Sequence, residues 1–443
     1  MSPRRHSSSA SVTTLHVPVA PTGPPLAALL VHVPGRVIVR GFVPSQGSSE
    51  DVENAAANAV TMVMSGSFKL KDQVVATTEA WRNGGLAVRM YLARSASPSR
   101  SKHDANAAYH RGHRNHHVHP PWKESSARNS RGDDDDDDDD DVGSLLVEIS
   151  VPRPLSYVES IAETVIDQTA LSTNEASHMG LVALNNSLYV TLTRPNWTMA
   201  SLSMSSFGHG VIQVDAPRIQ AYAMMELKAS GPEAIVAVAS THVQADVMEA
   251  TANGAGSVYL TSRNVSVRSL KSTMAGEGVI SYFDNGTCAI HDVSMLSSGQ
   301  VHAGSMHCYD TTVYSVGSGH VVVDGGHSLT STTIGVGRLS YVQTLPDNVA
   351  HVGFAPRGGI HRYHPGDDAG PLKWDLVPAP PRHEPKRVIV LGTLPSTAVD
   401  LEVLPPALSL AMDAEVLMGL ALIVVAPMVL WTYMRRRYYQ RIA

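Results

Sequence analysis

The chain has 443 residues, of which 17% are charged and 5% aromatic, and a formal net charge of −6. The nine aspartates Asp133–Asp141 more than account for that excess, and no basic stripe with interleaved aromatics remains elsewhere, which argues against a nucleic-acid partner. The length admits two domains or one long β-fold with appendages.

Arg4 and Arg5 precede an apolar run from Leu26 to Val33, the order found in a secretory signal. The run is short and proline-flanked, with no clear cleavage site, and residues 1–30 read as a disordered N-terminus. A β-rich segment follows over 31–94. Its strands are Val37–Val39, Val74–Ala76 and Leu86–Leu92, and the alanine-containing stretch Asp51–Met64 reads as a short helix. Residues 95–142 are Ser/Arg-rich, then His-rich (His103, His110, His113, His116, His117, His119), then poly-aspartate. This is a solvated, disordered insert without the fixed geometry of a metal site. The strand ending near Ala93 and the one starting near Leu145 are therefore expected to be neighbours.

The richest pattern lies between Gly208 and Gly337. A glycine-bearing turn opens an alternating apolar segment, as in Gly208-His209-Gly210 before Val211–Val214. The phrase returns at Gly254-Ala255-Gly256, Gly276-Glu277-Gly278, Gly317-Ser318-Gly319 and Gly335-Val336-Gly337, with weaker copies at Gly231 and Gly299. The last glycines fall at 210, 231, 256, 278, 299, 319 and 337, a period of about twenty residues. Each phrase holds a second short strand, for example Ile219–Ala223, Val243–Val247, Val265–Leu270 and Cys288–Val293. Short strands and glycine corners at this period predict an all-β solenoid whose coils cover one another's apolar faces, with Val, Ile, Leu, Ala and Met inward.

This series resembles the head GIN domain of auto-transporter adhesins, and the entry strands Leu146–Val151 and Tyr157–Ile161 are similar to those that begin it. The resemblance implies a right-handed β-helix over 143–354 and suggests an adhesion-like module. The insert and the C-terminal run described below depart from the bacterial members, so the expectation is a eukaryotic, membrane-anchored member.

Cys288 and Cys308 stand twenty residues apart, one coil, and so occupy equivalent places on adjacent coils. They are either a disulfide or two small buried hydrophobes in a stack. Four Asn-x-Ser/Thr sequons, at Asn185, Asn196, Asn264 and Asn285, are candidate glycosylation sites.

Residues 355–415 turn to Pro, Gly, His and charge, with only Arg387–Leu391 looking ordered, and read as a linker or stalk. Val416–Met434 is then a nineteen-residue uncharged run, near the length needed to span a bilayer. Trp431 and Tyr433 sit at its end and the basic tail 435–443 follows. This predicts a single-pass membrane protein with a cytoplasmic C-terminal tail and an external β-domain. The rival topology is a tail-anchored scaffold with its β-domain in the cytosol.

A third reading, a polysaccharide-active enzyme, needs carboxylates or bases in a shared register. Asp215, Asp246, Glu249, Glu277, Asp284, Asp292, Asp310 and Asp324 look scattered. His209, His242, His291, His302, His307 and His320 look like surface residues of strands. The sequence therefore names no catalytic, cofactor-binding or metal residue, and points to a non-enzymatic module for an unknown protein or carbohydrate ligand at a membrane.

Overall fold

The computed structural model describes residues 12–19, 23–42, 59–66, 68–71, 73–93, 143–353, 359–364, 372–381 and 386–388. All of them lie in one compact unit, Met1–Val388; the second unit, Ile389–Ala443, is outside the described residues, as are the expected span Val416–Met434 and the tail 435–443. The low-complexity insert is outside them too, from residue 94 to 142. Among the described residues no helix is long and apolar enough to cross a membrane.

Seven strands build the N-terminal end: β1 (Thr13–Pro18), β2 (Leu26–His32), β3 (Arg36–Gly41), β4 (Ala59–Gly66), β5 (Val74–Ala80), β6 (Leu86–Leu92) and β7 (Gly143–Val151). The short helix α1 (Phe68–Lys71) interrupts them. Next come β8 (Tyr157–Ser160), β9 (Glu163–Asp167), β10 (His178–Leu184), β11 (Ser187–Thr191) and β12 (Trp197–Phe207). The long coil strands are β13 (Val211–Gly231), β14 (Ile235–Gly254), β15 (Ser257–Gly276), β16 (Val279–Ser297), β17 (Gln300–Gly317) and β18 (His320–Ile334). The chain closes with β19 (Arg338–Tyr341), β20 (Asn348–Gly353), β21 (Ile360–Arg362) and β22 (Lys386–Val388). Successive coils pair in parallel, giving a β-solenoid of right-handed-like winding and about nine turns.

Each coil has three faces. The first is the segment beginning Val211, Ile235, Ser257 and their successors; the second is centred on Ala221, Ala245, Val267, Cys288 and Cys308; the third begins near Met225, Met248 and Leu270. Inward residues stack into continuous columns, such as Ile212-Val236-Val258-Ile280-Val301-Val321-Leu339. All seven are buried, so burial of apolar area along the axis stabilises every coil against its neighbours. Coils shorten from 24 residues (Val211 to Ile235) to 18 (His320 to Arg338). The register shifts that absorb this fall at the corners bordering the second face or, near the end, within it.

The two glycines of each turn do different work. The first, Gly208, Gly231, Gly254, Gly276, Gly317 and Gly335, holds the positive φ; the place between Gly276 and Gly317 is filled by Ser297 at φ 142°. The second packs instead: a Cβ on Gly256 would stand 2.7 Å from the Ala229 carbonyl oxygen of the coil before.

Several expectations are corrected. Residues 1–30 are not wholly disordered, because β1 and the start of β2 lie within them. The apolar run Leu26–Val33 is chiefly β2, a strand covered on both sides: Leu29 and Val31 face the main core, while Ala28 and Leu30 pack with Ala87. Where a helix was expected to reach Met64, β4 alternates buried Val60, Met62 and Met64 between antiparallel partners β1 and β7; residues 51–58 are outside the described residues. β6 and β7 are not ladder partners. β6 pairs with β2, and β7 with β3, so they extend adjacent faces of the first coil.

The expected stalk is also corrected in part. Residues 372–381 return along the first face toward the N-terminal end, as a strap. Ser281 Oγ donates to the Leu372 carbonyl at 2.7 Å, Trp374 stacks on Tyr259 at 5.4 Å, and the Gln213 amide bonds both the N–H and the C=O of Val377. Arg36 then donates to the Pro381 carbonyl at 3.1 Å, and β22 pairs antiparallel with Gly143–Leu145 of β7. These contacts run in order down the solenoid, which is why a proline-rich segment without its own core is held in place.

Candidate functional site

Cys288 and Cys308 occupy one inward column of small residues on the second face, Ala221-Ala245-Val267-Cys288-Cys308-Gly325. Their Cα atoms are 4.4 Å apart and their sulfurs are joined in a disulfide that ties β16 to β17. The four sequon asparagines are all exposed. Asn185 sits at positive φ in a turn, where its Oδ1 faces the His209 N–H. The ladder pairs Trp197 with Ile219 and His242 with Asn264, and brackets Asn285 between Asp284 and Gly286. Asn196, Asn264 and Asn285 therefore share one corner ridge between the first and second faces.

The carboxylates are less scattered than their spacing suggested. Glu226, Glu249, Lys271 and Asp292 form one outward column on the third face, with Lys271 Nζ 2.6 Å from Glu249. On the second face Asp246 holds Arg268 through two bonds of 2.6 and 2.8 Å. Asp310 accepts from Ser328 Oγ at 2.6 Å. Asp324 is buried beside His307 at 3.1 Å; burial raises its pKa and the His307 contact opposes that rise. Among the described residues no group of three or more His, Cys, Asp or Glu could hold a metal ion.

Two histidines read as surface residues are buried. His291 stands in the inward column Met225-Met248-Leu270-His291-Thr311-Leu329. Its Nε2 meets Ser272 Oγ at 3.0 Å, and Ser272 Oγ in turn meets the Tyr282 hydroxyl at 2.8 Å. Burial lowers the His291 pKa to about 3. His302 is lowered to about 4, first by burial and then by the neighbouring His320. Both rings are neutral at ordinary pH, His291 inside the coils and His302 buried in the outward column of the first face, which leaves them unsuited to proton transfer near neutrality.

Residues 185–344 match the family described as "Putative auto-transporter adhesin, head GIN domain", which supports that family for the coil region. No curated protein matches the chain. Similar solved structures include a "putative adhesin" of Parabacteroides merdae, 11% identical with a TM-score of 0.36, covering 80% of this chain and 97% of that one. A "putative adhesin" of Parabacteroides distasonis is 12% identical with a TM-score of 0.35, covering 80% and 98%. A "Putative lipid binding protein" of the same species is 10% identical with a TM-score of 0.32, covering 80% and 97%.

Proposed function

We propose that this chain is a non-enzymatic interaction module, adhesin-like, carried on a single membrane span. The observation behind the interaction reading is the solenoid itself. Its outward residues form regular columns over many coils within the stretch matching the adhesin-head family, a surface suited to contact rather than turnover. The anchoring reading rests on Val416–Met434 followed by Arg435–Arg437. It favours an external β-domain with a cytoplasmic tail, in a eukaryotic relative of the family, and the exposed sequon ridge and the Cys288–Cys308 pair support the same side. In this reading the connection to the anchor starts at the N-terminal end of the solenoid, where β22 meets β7.

Replacing Leu422 and Val425 by arginine tests the anchor, each charge costing about 2.5–3.5 kcal/mol at mid-span. Release into the soluble fraction is expected; unchanged sedimentation with membranes would remove this reading. A glycosidase-sensitive mass shift, lost when Asn185, Asn196, Asn264 and Asn285 are all changed to Gln, tests the external orientation. Its absence in a membrane-bound protein would favour the cytosolic scaffold.

A further inference from the structure

The second face carries an outward column with one rung missing. Ladder pairs on either side set Asp246 opposite Arg268, Arg268 opposite Ala289, and Ala289 opposite Tyr309. The next coil places His327 against Tyr309, with ring centroids 4.7 Å apart and planes 19° from parallel. Large planar groups thus occupy the rungs on both sides of Ala289, while Ala289 itself contributes only a methyl group.

Both walls of the gap are fixed. Arg268 is held through Nε and Nη2 by Asp246, which leaves Nη1 outside that pair. Tyr309 is 57% exposed but backed by His327, whose Nε2 lies 3.2 Å from Asn348 Nδ2. Beneath the gap, the Cys288–Cys308 disulfide ties the coil bearing Ala289 to the coil bearing Tyr309. Two strand spacings separate the walls, roughly 9.6 Å. A ring seated on the Ala289 rung would therefore lie about one strand spacing from Tyr309, the spacing at which His327 already stacks on its far side.

We propose that the slot between Arg268 and Tyr309, floored by Ala289, binds a hexopyranose ring of a glycan. A pyranose has an apolar C–H face to lie on the Tyr309 ring and a perimeter of hydroxyls. The perimeter of the slot offers Arg268 Nη1 on one wall and the exposed Thr287 two residues before the floor, with Ile290 as an apolar flank. A bare aromatic ring would use the wall and leave these polar groups unpaired, which disfavours it. The site rests on the interaction reading above and gives it a ligand class.

The test uses the full-length protein in non-ionic detergent. Saturation-transfer NMR is recorded with methyl β-D-glucopyranoside, methyl β-D-galactopyranoside, methyl α-D-mannopyranoside and N-acetylglucosamine, and with p-cresol as a ring lacking the hydroxyl perimeter. At least one sugar should bind, with transfer strongest at the ring protons of one face. Tyr309→Ala should weaken it tenfold or more, and Ala289→Leu, which fills an exposed gap without touching the core, should abolish it. Absence of binding by all four sugars, equal binding by p-cresol, or sugar binding that survives Ala289→Leu would each overturn the slot. If the protein still adheres to immobilised glycans or cells when Ala289→Leu is in place, the slot fails while the adhesion reading stands.

Discussion

His291 gives the solenoid a pH dependence that can be worked out. The ring is inside the fold with a pKa lowered to about 3 by burial, against an ordinary value of 6.5. Its surroundings are neutral: Ser272, Tyr282, and Leu270 and Thr311 above and below in the column. Between these two pKa values the unfolded coil binds a proton that the folded coil refuses. Stability therefore rises with pH in this window; it is fully present above about pH 6.5 and lost as pH falls toward 3. At pH 5 the loss from this one ring is about 2 kcal/mol, from 1.36 kcal/mol per pH unit over the interval. His302 adds a loss of the same sign down to about pH 4, while Asp324, with its raised pKa, acts in the opposite direction.

The slope of the wild-type protein alone thus mixes several groups, and a variant isolates the ring. In His291→Leu the side chain fits a column that already holds Leu270 and Leu329, and Ser272 and Tyr282 keep their mutual bond. Urea unfolding at pH 7.5 and 5.0, with hydrogen exchange of β15, β16 and β17 as the coil-level readout, should show the wild type losing about 2 kcal/mol more than the variant. Parallel losses in both proteins would refute the buried, neutral assignment of His291.

Ser297→Gly should stabilise the protein by about 1 kcal/mol in the same unfolding assay, because serine stands at φ 142° in a column otherwise filled by glycine. Thiol labelling of unreduced, unfolded protein should find no free cysteine, and Cys288→Ser should expose one. Loss of the bridge over this twenty-residue separation should cost roughly 3 kcal/mol in the chain-entropy model. Trp374→Ala removes the stack on Tyr259 and should loosen the strap by about 0.5–1.5 kcal/mol, seen as faster exchange across residues 372–381 with the coils unchanged.

The coils were legible because a solenoid writes its geometry into a local period: strands alternate, corners need glycine, and neighbours in space are one period apart in sequence. What the period could not show was parity through the corners. Counting alternately from inward Cys288 puts Ile290 inside and His291 outside. The corner after the second face instead spends two consecutive residues outward, Ala289 and Ile290, so Ile290 is 43% exposed and His291 is buried. The same slip occurs at Arg268-Ser269 and Tyr309-Asp310. Glu249 and Asp292, which seemed unaligned by number, fall into one column because coils of unequal length shift the spacing between equivalent places.

The strap was illegible for a different reason. Its partners are 91 residues away at Ser281 and 164 at Gln213, and the bonds it makes use its backbone. No periodicity records such contacts, and a proline-rich sequence without apolar alternation reads as a linker. Its presence bears directly on where a partner can dock. In the outward column of the first face, Gln213, Ala237, Ser281, His302, Val322 and Ser340 are buried despite pointing away from the coil interior, and Tyr259 among them is half-buried against Trp374. The first face therefore offers little to a ligand, and the corner beside it carries three of the four sequons. Open columns remain on the second and third faces. On the third, acidic and basic side chains neutralise one another at Glu249 and Lys271. The second holds exposed Tyr309 and Ile290 beside a gap one side chain deep, which makes it the face on which adhesion should first be sought.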